Sequence, residues 1–314
     1  MRLKRFLARR ELWSIAIYKL GSRSEILSLD RHKPIYMFGE TGFRTGRDYQ
    51  STVADPFLFA FGGTLYMFYE IKTDHGHGEI WAQSLSEAGD WVPLGKVLGE
   101  PFHLSYPQVF EHGGRVYMIP EAAHSGRVLL YSAVHFPTQW EVCATLVSDP
   151  LLDPTMLYLG DGDFLLYGTT RGGALNLYHS CVLRGPFIDT GIVISKDKGT
   201  SRCAGNILEI DGLRYRPAQD CSRVYGERIR LLQVLDASSR CYAEKMSVPD
   251  MFISKPEWMS VGSHHLSAVD FGGGVYVAVD GRRMDRFINT LLLGVLKFLE
   301  MFFKMPLRAR QISQ

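Results

Sequence analysis

Cysteine is scarce and unpatterned in this chain. Its five cysteines (Cys143, Cys181, Cys203, Cys221 and Cys241) make an odd number, form no Cys-x-x-Cys and lack histidine at metal-ligand spacing. A zinc site is therefore not expected, nor any other metal site. Charge of one sign is scarce too. The net charge is +2, too little for a nucleic-acid surface, so no nucleic-acid partner is expected. The first residues lack the long apolar stretch of a secretory leader. Free thiols and no leader together point to a reducing cytoplasm. The basic residues are uneven, however: residues 1–10 hold Arg2, Lys4, Arg5, Arg9 and Arg10 and no acid.

What the chain has in quantity is one phrase, repeated about every fifty residues. A polar residue beside proline precedes an apolar run, a Gly-Gly or Asp-Gly pair, and a second apolar run containing Tyr. It reads Asp55-Pro56-Phe57-Leu58-Phe59, Gly62-Gly63, Leu65-Tyr66-Met67-Phe68-Tyr69-Glu70. It returns as Tyr106-Pro107, Gly113-Gly114, Val116 to Glu121, and as Asp153-Pro154, Asp161-Gly162, Phe164 to Gly168. A degenerate fourth copy runs from Ala204 through Asp211-Gly212 to Arg216, and a fifth from His264 through Gly272-Gly273 to Asp280. Each copy is a hairpin with a tight glycine turn. Repeats of this period and content imply an all-β fold, a five-bladed β-propeller.

Further strand-like runs follow each of the first four hairpins, giving four strands per blade. The fifth runs out near Arg283. Its missing strands must come from elsewhere, because open edges invite mispairing. Residues 12–18 and 35–38 are the spare strands, so the N-terminal stretch is expected to complete the last blade. The propeller is then residues 1–283, with 12–38 in the closing blade. Residues 284–314 form a separate element, a C-terminal apolar helix and basic tail. Its core, from Phe287 to Phe303 (FINTLLLGVLKFLEMFF), includes Asn289, Lys297 and Glu300 and is flanked by Arg282, Arg283, Arg286, Lys304, Arg308 and Arg310. It is too short and polar for a comfortable membrane span. Basic flanks suit an anionic membrane surface, and packing on the propeller is the alternative.

In a propeller the start of each inner strand and the end of the second converge on one funnel. Those positions hold Asp55 and Glu70, Tyr106 and Glu121, Asp153 with Thr169 and Arg171, Arg202 and Asn206 with Arg216, Gln219 and Asp220, and His264 and His265 with Asp280. Adjacent strand residues point to opposite faces, so one histidine is expected at the axis, His264. Carboxyls around a pocket are what glycosyl chemistry uses: one donates a proton while another activates a nucleophile. Asp55, Asp153, Glu121 and Glu70 are the catalytic candidates. Tyr106, Arg171, Arg202, Arg216, Gln219, Asp220, His264 and Asp280 are the substrate-binding candidates. Tyr49, Phe57, Phe102, Tyr106, Tyr225 and Trp258 could stack on sugar faces. Three arginines suggest an anionic group such as a phosphate or nucleotide diphosphate, and ion pairing with the acids is the alternative.

Ala54-Asp55-Pro56-Phe57 and Leu152-Asp153-Pro154 resemble the first- and third-blade phrases of five-bladed propeller glycosidases of arabinanase and xylosidase type. The resemblance implies Asp55 as general base and Asp153 as the residue that tunes the acid. The acid itself, a Glu opening the fourth blade, is replaced by Ser201-Arg202-Cys203-Ala204-Gly205. A fuller resemblance covers residues 13–283. Trp13-Ser14-Ile15-Ala16-Ile17, Ala54-Asp55-Pro56-Phe57, Tyr106-Pro107, Pro120-Glu121, Tyr215-Arg216-Pro217-Ala218-Gln219-Asp220 and Tyr225-Gly226 are similar to the N-terminal domain of plant glucosamine inositolphosphorylceramide transferase. That resemblance implies a role in surface-polysaccharide assembly. The expected function is a glycosyltransferase-like protein of cell-surface polysaccharide or glycolipid synthesis, cytoplasmic and peripheral at the inner membrane face. Its ligand would be a carbohydrate or nucleotide sugar, with no cofactor beyond such a donor. A furanosidase with Asp55 as base, or a non-catalytic glycan-binding propeller, are the alternatives.

Overall fold

The computed structural model describes residues 11–39, 43–45, 48–73 and 76–284. The expected apolar helix lies outside the described residues. Among these, no helix is long and apolar enough to cross a membrane.

Five antiparallel sheets form five blades. The first has inner strand Asp48–Phe61, then Thr64–Thr73, Gly78–Leu85 and Trp91–Leu98, with Phe43–Thr45 paired beside the inner strand. The second runs Ser105–His112, Arg115–Glu121, Val128–His135, Gln139–Val147. The third runs Leu152–Gly160, Asp163–Thr169, Leu175–Ser180, Ile188–Ser195. In the fourth, the inner strand is broken into Arg202–Cys203 and Leu208–Ile210, both paired to Leu213–Asp220, followed by Arg228–Ala237 and Tyr242–Val248. The break falls at Gly205, where a Cβ would sit 1.8 Å from Leu266 O. The inner turns are the left-handed pairs that two-residue hairpins need, as at Gly62 (φ +57°) and Gly63 (φ +75°).

The last blade is closed by the N-terminal segment. Leu266–Phe271 and Gly274–Met284 are extended by Glu11–Leu20 and then Tyr36–Phe38. The closing strand pairs from Glu11↔Met284 to Leu20↔Val275. It is apolar on both sides because each side meets a different core. Ile15 and Ile17 pack with Leu65, Met67 and Tyr69 of the first blade. Ala16, Tyr18 and Leu20 pack with Leu208, Ile229 and Leu231 of the fourth. Blades stacked face to face bury both faces of their strands, so the runs read as continuous rather than alternating. Burying Leu12, Ile15, Ile17 and Tyr18, all 2% exposed or less, is worth about 1.5–3 kcal/mol apiece.

Candidate functional site

Three blades open on a residue followed by proline, and that residue has left-handed backbone: Asp55 (φ +54°), Tyr106 (+50°) and Asp153 (+48°). The ladder skips there. Ala54 pairs with Glu70 and the next pair is Phe57 with Phe68; Ser105–Glu121 gives way to Gln108–Ile119, and Leu152–Thr169 to Thr155–Tyr167. Such bulges re-aim a side chain out of the pleat. They also free a backbone N–H, and a carboxylate of the preceding blade accepts each one. Asp55 N donates to Asp280 Oδ2 at 3.3 Å, Tyr106 N to Asp55 Oδ2 at 3.2 Å, and Asp153 N to Glu121 Oε2 at 3.0 Å. Strain of about 1–3 kcal/mol per left-handed residue is thus held in place by bonds between blades.

The carboxylates that staple the blades also meet one another. Asp153 Oδ2 accepts from Arg202 Nε at 2.6 Å and from Gln219 Nε2 at 2.9 Å. Arg202 Nη2 stands 3.9 Å from Glu121 Oε2. His264 Nδ1 lies 2.5 Å from Asp280 Oδ2 and 3.8 Å from Asp55 Oδ1. Asp280 Oδ1 accepts the backbone N–H of both His264 (2.8 Å) and His265 (3.0 Å). His265 also reaches the axis, with Nδ1 3.8 Å from Asp55 Oδ1 and its ring on Phe57 and Tyr106. The alternation expected of the pair fails because both precede the strand, which begins at Leu266.

None of Asp55, Glu70, Glu121, Asp153 or Asp280 is more than 7% exposed, and that burial sets their chemistry. It pushes Asp55 up to about 7, against the pull of His264. It pushes Glu121 up to about 8, helped by Asp153 and opposed by Arg202. Glu70 is raised well above the usual carboxylate range by burial and then by Asp55. Burial acts the same way on Asp280, but the His264 imidazole outweighs it and holds that carboxyl low. The cluster therefore contains carboxyls that keep a proton near neutrality beside one that does not. Such a division supplies acid and base from one residue type. Asp55, His264 and Asp280 could each offer one atom to a cation, all within 4.8 Å. The close His264–Asp280 contact makes them an ion pair.

Other candidates stand elsewhere. Arg216, fully buried, is a correction: it donates from Nε and Nη2 to Glu244 (2.8 and 2.6 Å) and from Nη2 to Thr200 O, filling the space between third- and fourth-blade side chains. Asp220, one residue past Gln219, turns to the opposite side of the strand and meets Arg228 (3.3 Å) and Arg230 (2.6 Å). Arg171 is exposed on the turn joining Asp163–Thr169 to Leu175–Ser180. Tyr106 is on the axis, but its hydroxyl is occupied: it accepts from Gly205 N at 2.7 Å and lies 2.8 Å from Thr155 Oγ1 and 3.1 Å from Gly205 O.

The structure adds Trp13 and His103 to the site, and it brings in Tyr225, one of the aromatics expected to stack on a sugar. Trp13, on the closing strand, stacks on His264 at 4.2 Å between ring centroids and lies under the Arg282 guanidinium. Tyr225 is 46% exposed, with Arg202 over its ring at 5.3 Å and His264 against its edge. Gly226 makes this fit, since a Cβ there would stand 2.9 Å from that of His264. His103 reaches Glu70 from the loop before the second blade. The Trp13 phrase carried a family likeness, while His103 left no signal at all.

Comparison with known proteins matches residues 43–282 to the family described as "Glucosamine inositolphosphorylceramide transferase 1, N-terminal". Glucosamine inositolphosphorylceramide transferase 1 of Arabidopsis thaliana is 34% identical over 258 residues, 76% of this chain and 34% of that protein. Its counterpart in Oryza sativa subsp. japonica is 32% identical over 264 residues, 79% of this chain and 36% of that protein. The chain thus spans about a third of the length of the curated relatives it matches. Among solved structures, a β-xylosidase/α-arabinofuranosidase from a compost microbial metagenome superposes with a TM-score of 0.53 at 15% identity, covering 76% of this chain and 92% of that one. That likeness is one of fold.

Proposed function

This chain belongs to the family of the glucosamine inositolphosphorylceramide transferase 1 N-terminal domain, and on that premise we propose that it is a glycan-active, glycosyltransferase-like protein. It would act in the synthesis of cell-surface polysaccharide or glycolipid, through the carboxylates on the propeller axis. The observation that carries this reading is the buried cluster in which Arg202 joins Asp153 to Glu121, with Asp55 stapled to the next blade beside it and feeling the charges of Asp153 and Arg202.

Glycosyl transfer needs a base for the incoming hydroxyl and relief of charge on the departing oxygen. Asp55, ionised above about pH 7, is suited to take the hydroxyl proton. A hydroxyl leaving group needs a proton, and Glu70 and Glu121 hold theirs near neutrality. An anionic leaving group needs a cation instead. Arg202 has Nε committed to Asp153, and its terminal nitrogens are what it can offer. Arg216 is buried away from the axis with Nε and Nη2 paired to Glu244, so the reading rests on one arginine rather than three.

Proton-bearing Glu121 also favours a second reading, furanoside hydrolysis. A thermal-shift and turnover screen across nucleotide sugars and aryl furanosides separates them. Stabilisation by a nucleotide sugar supports transfer, and release of the aryl group supports hydrolysis. Binding without turnover reduces the site to glycan recognition. No response from either set sinks the glycan reading. We further propose a cytoplasmic, membrane-peripheral location, supported by the basic residues at both ends of the sequence.

A further inference from the structure

Glu70 lies at the seam of the first and second blades, and His103 comes to it from the loop between strands Trp91–Leu98 and Ser105–His112. His103 Nε2 is 3.5 Å from Glu70 Oε1. The other ring nitrogen is taken, because Gly78 N donates to Nδ1 at 2.8 Å. A neutral imidazole that accepts at Nδ1 carries its hydrogen on Nε2. Burial, with Lys72, His124 and His77 around it, lowers His103 to about 4 and keeps it neutral. The backbone therefore fixes the tautomer, and Nε2–H faces the carboxyl.

This approach depends on position 78 having no side chain. A Cβ there would stand 2.5 Å from both Glu70 Oε1 and His103 Cε1, and 2.4 Å from Leu104 O. Leu104 N closes the corner by donating to Gly78 O at 2.9 Å. The 3.5 Å contact is about half an ångström longer than a closed hydrogen bond, a gap of the kind that closes in a ligand-bound active site. Around Glu70, Asp55, Glu121 and Asp280 disfavour its charge and Lys72 favours it. A fixed donor opposite a carboxylic acid selects the geometry: the carbonyl oxygen accepts and the other oxygen carries the proton.

We propose that His103 is the positioning residue of Glu70, presenting Nε2–H to Oε1 so that Oε2 holds the acid proton and delivers it to the departing oxygen of a glycosyl donor. Glu70 would thereby serve where the fourth blade has Arg202. The departing-oxygen role rests on the glycan-active reading; the arrangement of the pair does not. In the step, Oε2 gives its proton to the leaving oxygen as the carbon–oxygen bond breaks with its electron pair on that oxygen. The incoming hydroxyl oxygen bonds the same carbon and gives its proton to the Asp55 carboxylate. Glu70, now ionised, accepts more strongly from Nε2–H. Proton return from Asp55 to Glu70 restores the starting state.

Two substitutions dissect the pair. His103→Asn keeps an acceptor where Nδ1 stands and deletes the Nε2 donor; His103→Gln does the reverse. The readout is the infrared carbonyl band of protonated Glu70, assigned by difference against Glu70→Gln at neutral pH. The band should be present in the wild type, move to the higher frequency of a free carbonyl in His103→Asn, and return in His103→Gln. Its absence in the wild type, or its failure to move in His103→Asn, overturns the proposal. Should His103→Asn not fold, a displaced band in folded His103→Gln overturns it equally. Where the wild type turns over a glycoside, His103→Asn should lower kcat roughly tenfold with KM unchanged. A wild type without turnover removes the departing-oxygen role, while the band still decides what His103 does.

Discussion

Replacing Asp55 by asparagine isolates one proton in the axial cluster. Asparagine keeps the shape, tolerates the left-handed φ of +54°, and retains an oxygen for Tyr106 N–H, which sits at 3.2 Å. What changes is the titration. Burial raises Asp55 from 3.8 to about 7, whereas in the unfolded chain it returns to about 3.9. Between those values the folded protein holds a proton that the unfolded chain has released. Stability must fall as pH rises through this window, by about 1.4 kcal/mol per pH unit and about 4 kcal/mol in all. Above the folded value the loss is complete. The asparagine side chain has no such proton, so the unfolding free energy of Asp55→Asn minus that of wild type should climb between about pH 4 and 7 and then level off. Glu70 and Glu121, also raised by burial, add a fall of the same sign to both proteins. His265, lowered to about 3, adds a rise to both. The Glu121 and His265 slopes do not depend on Asp55 and largely cancel in the difference, whereas Glu70, whose charge Asp55 opposes, falls less in the variant and steepens the climb. Urea melts between about pH 5 and 8 measure it. A flat difference across that range would refute a buried, proton-holding Asp55. The same variant should lose turnover while remaining folded, and full activity would remove Asp55 from the mechanism.

Tyr106→Phe strips the hydroxyl from Gly205 and Thr155 and should destabilise by about 1–3 kcal/mol; an unchanged denaturant midpoint would show the axial pin to be idle. Glu244→Ala leaves buried Arg216 without its carboxylate and should cost about 3–5 kcal/mol, with ligand affinity unaffected where the protein folds. Weakened binding there would return Arg216 to the site. Deleting residues 1–20 removes the closing strand, of which the four most deeply buried large side chains, Leu12, Ile15, Ile17 and Tyr18, alone bring about 10 kcal/mol. That rivals the whole stability of a domain, so circular dichroism should report loss of the native fold. Residues 287–303, outside the described structure, should carry the chain into the pellet with anionic liposomes. A form truncated after Arg283 should stay in the supernatant, and equal sedimentation of the two would refute the membrane contact.

The repeat by itself determines the architecture. Paired glycines at Gly62-Gly63, Gly113-Gly114 and Gly272-Gly273 specify left-handed turns that local sequence dictates. Counting strands per blade determined the closure, because the fifth hairpin had no outer partners except residues 12–18 and 35–38. The same periodicity brought Asp55, Glu121, Asp153 and Asp280 to the axis, since equivalent positions of a rotationally repeated unit must converge. Direction was another matter. Gln219 and Asp220 are neighbours in sequence, yet one meets Asp153 and the other Arg228 and Arg230, because a strand sends successive side chains to opposite sides. Arg216 meets Glu244, 28 residues away, and no local pattern encodes that partner. His103 and Gly78 lie on segments between the repeated phrases, and their fit to Glu70 exists only once two blades stand side by side. The proton affinities are tertiary as well: the same carboxyl chemistry gives a raised Asp55 and a lowered Asp280, because His264 sits 2.5 Å from Asp280 and 3.8 Å from Asp55.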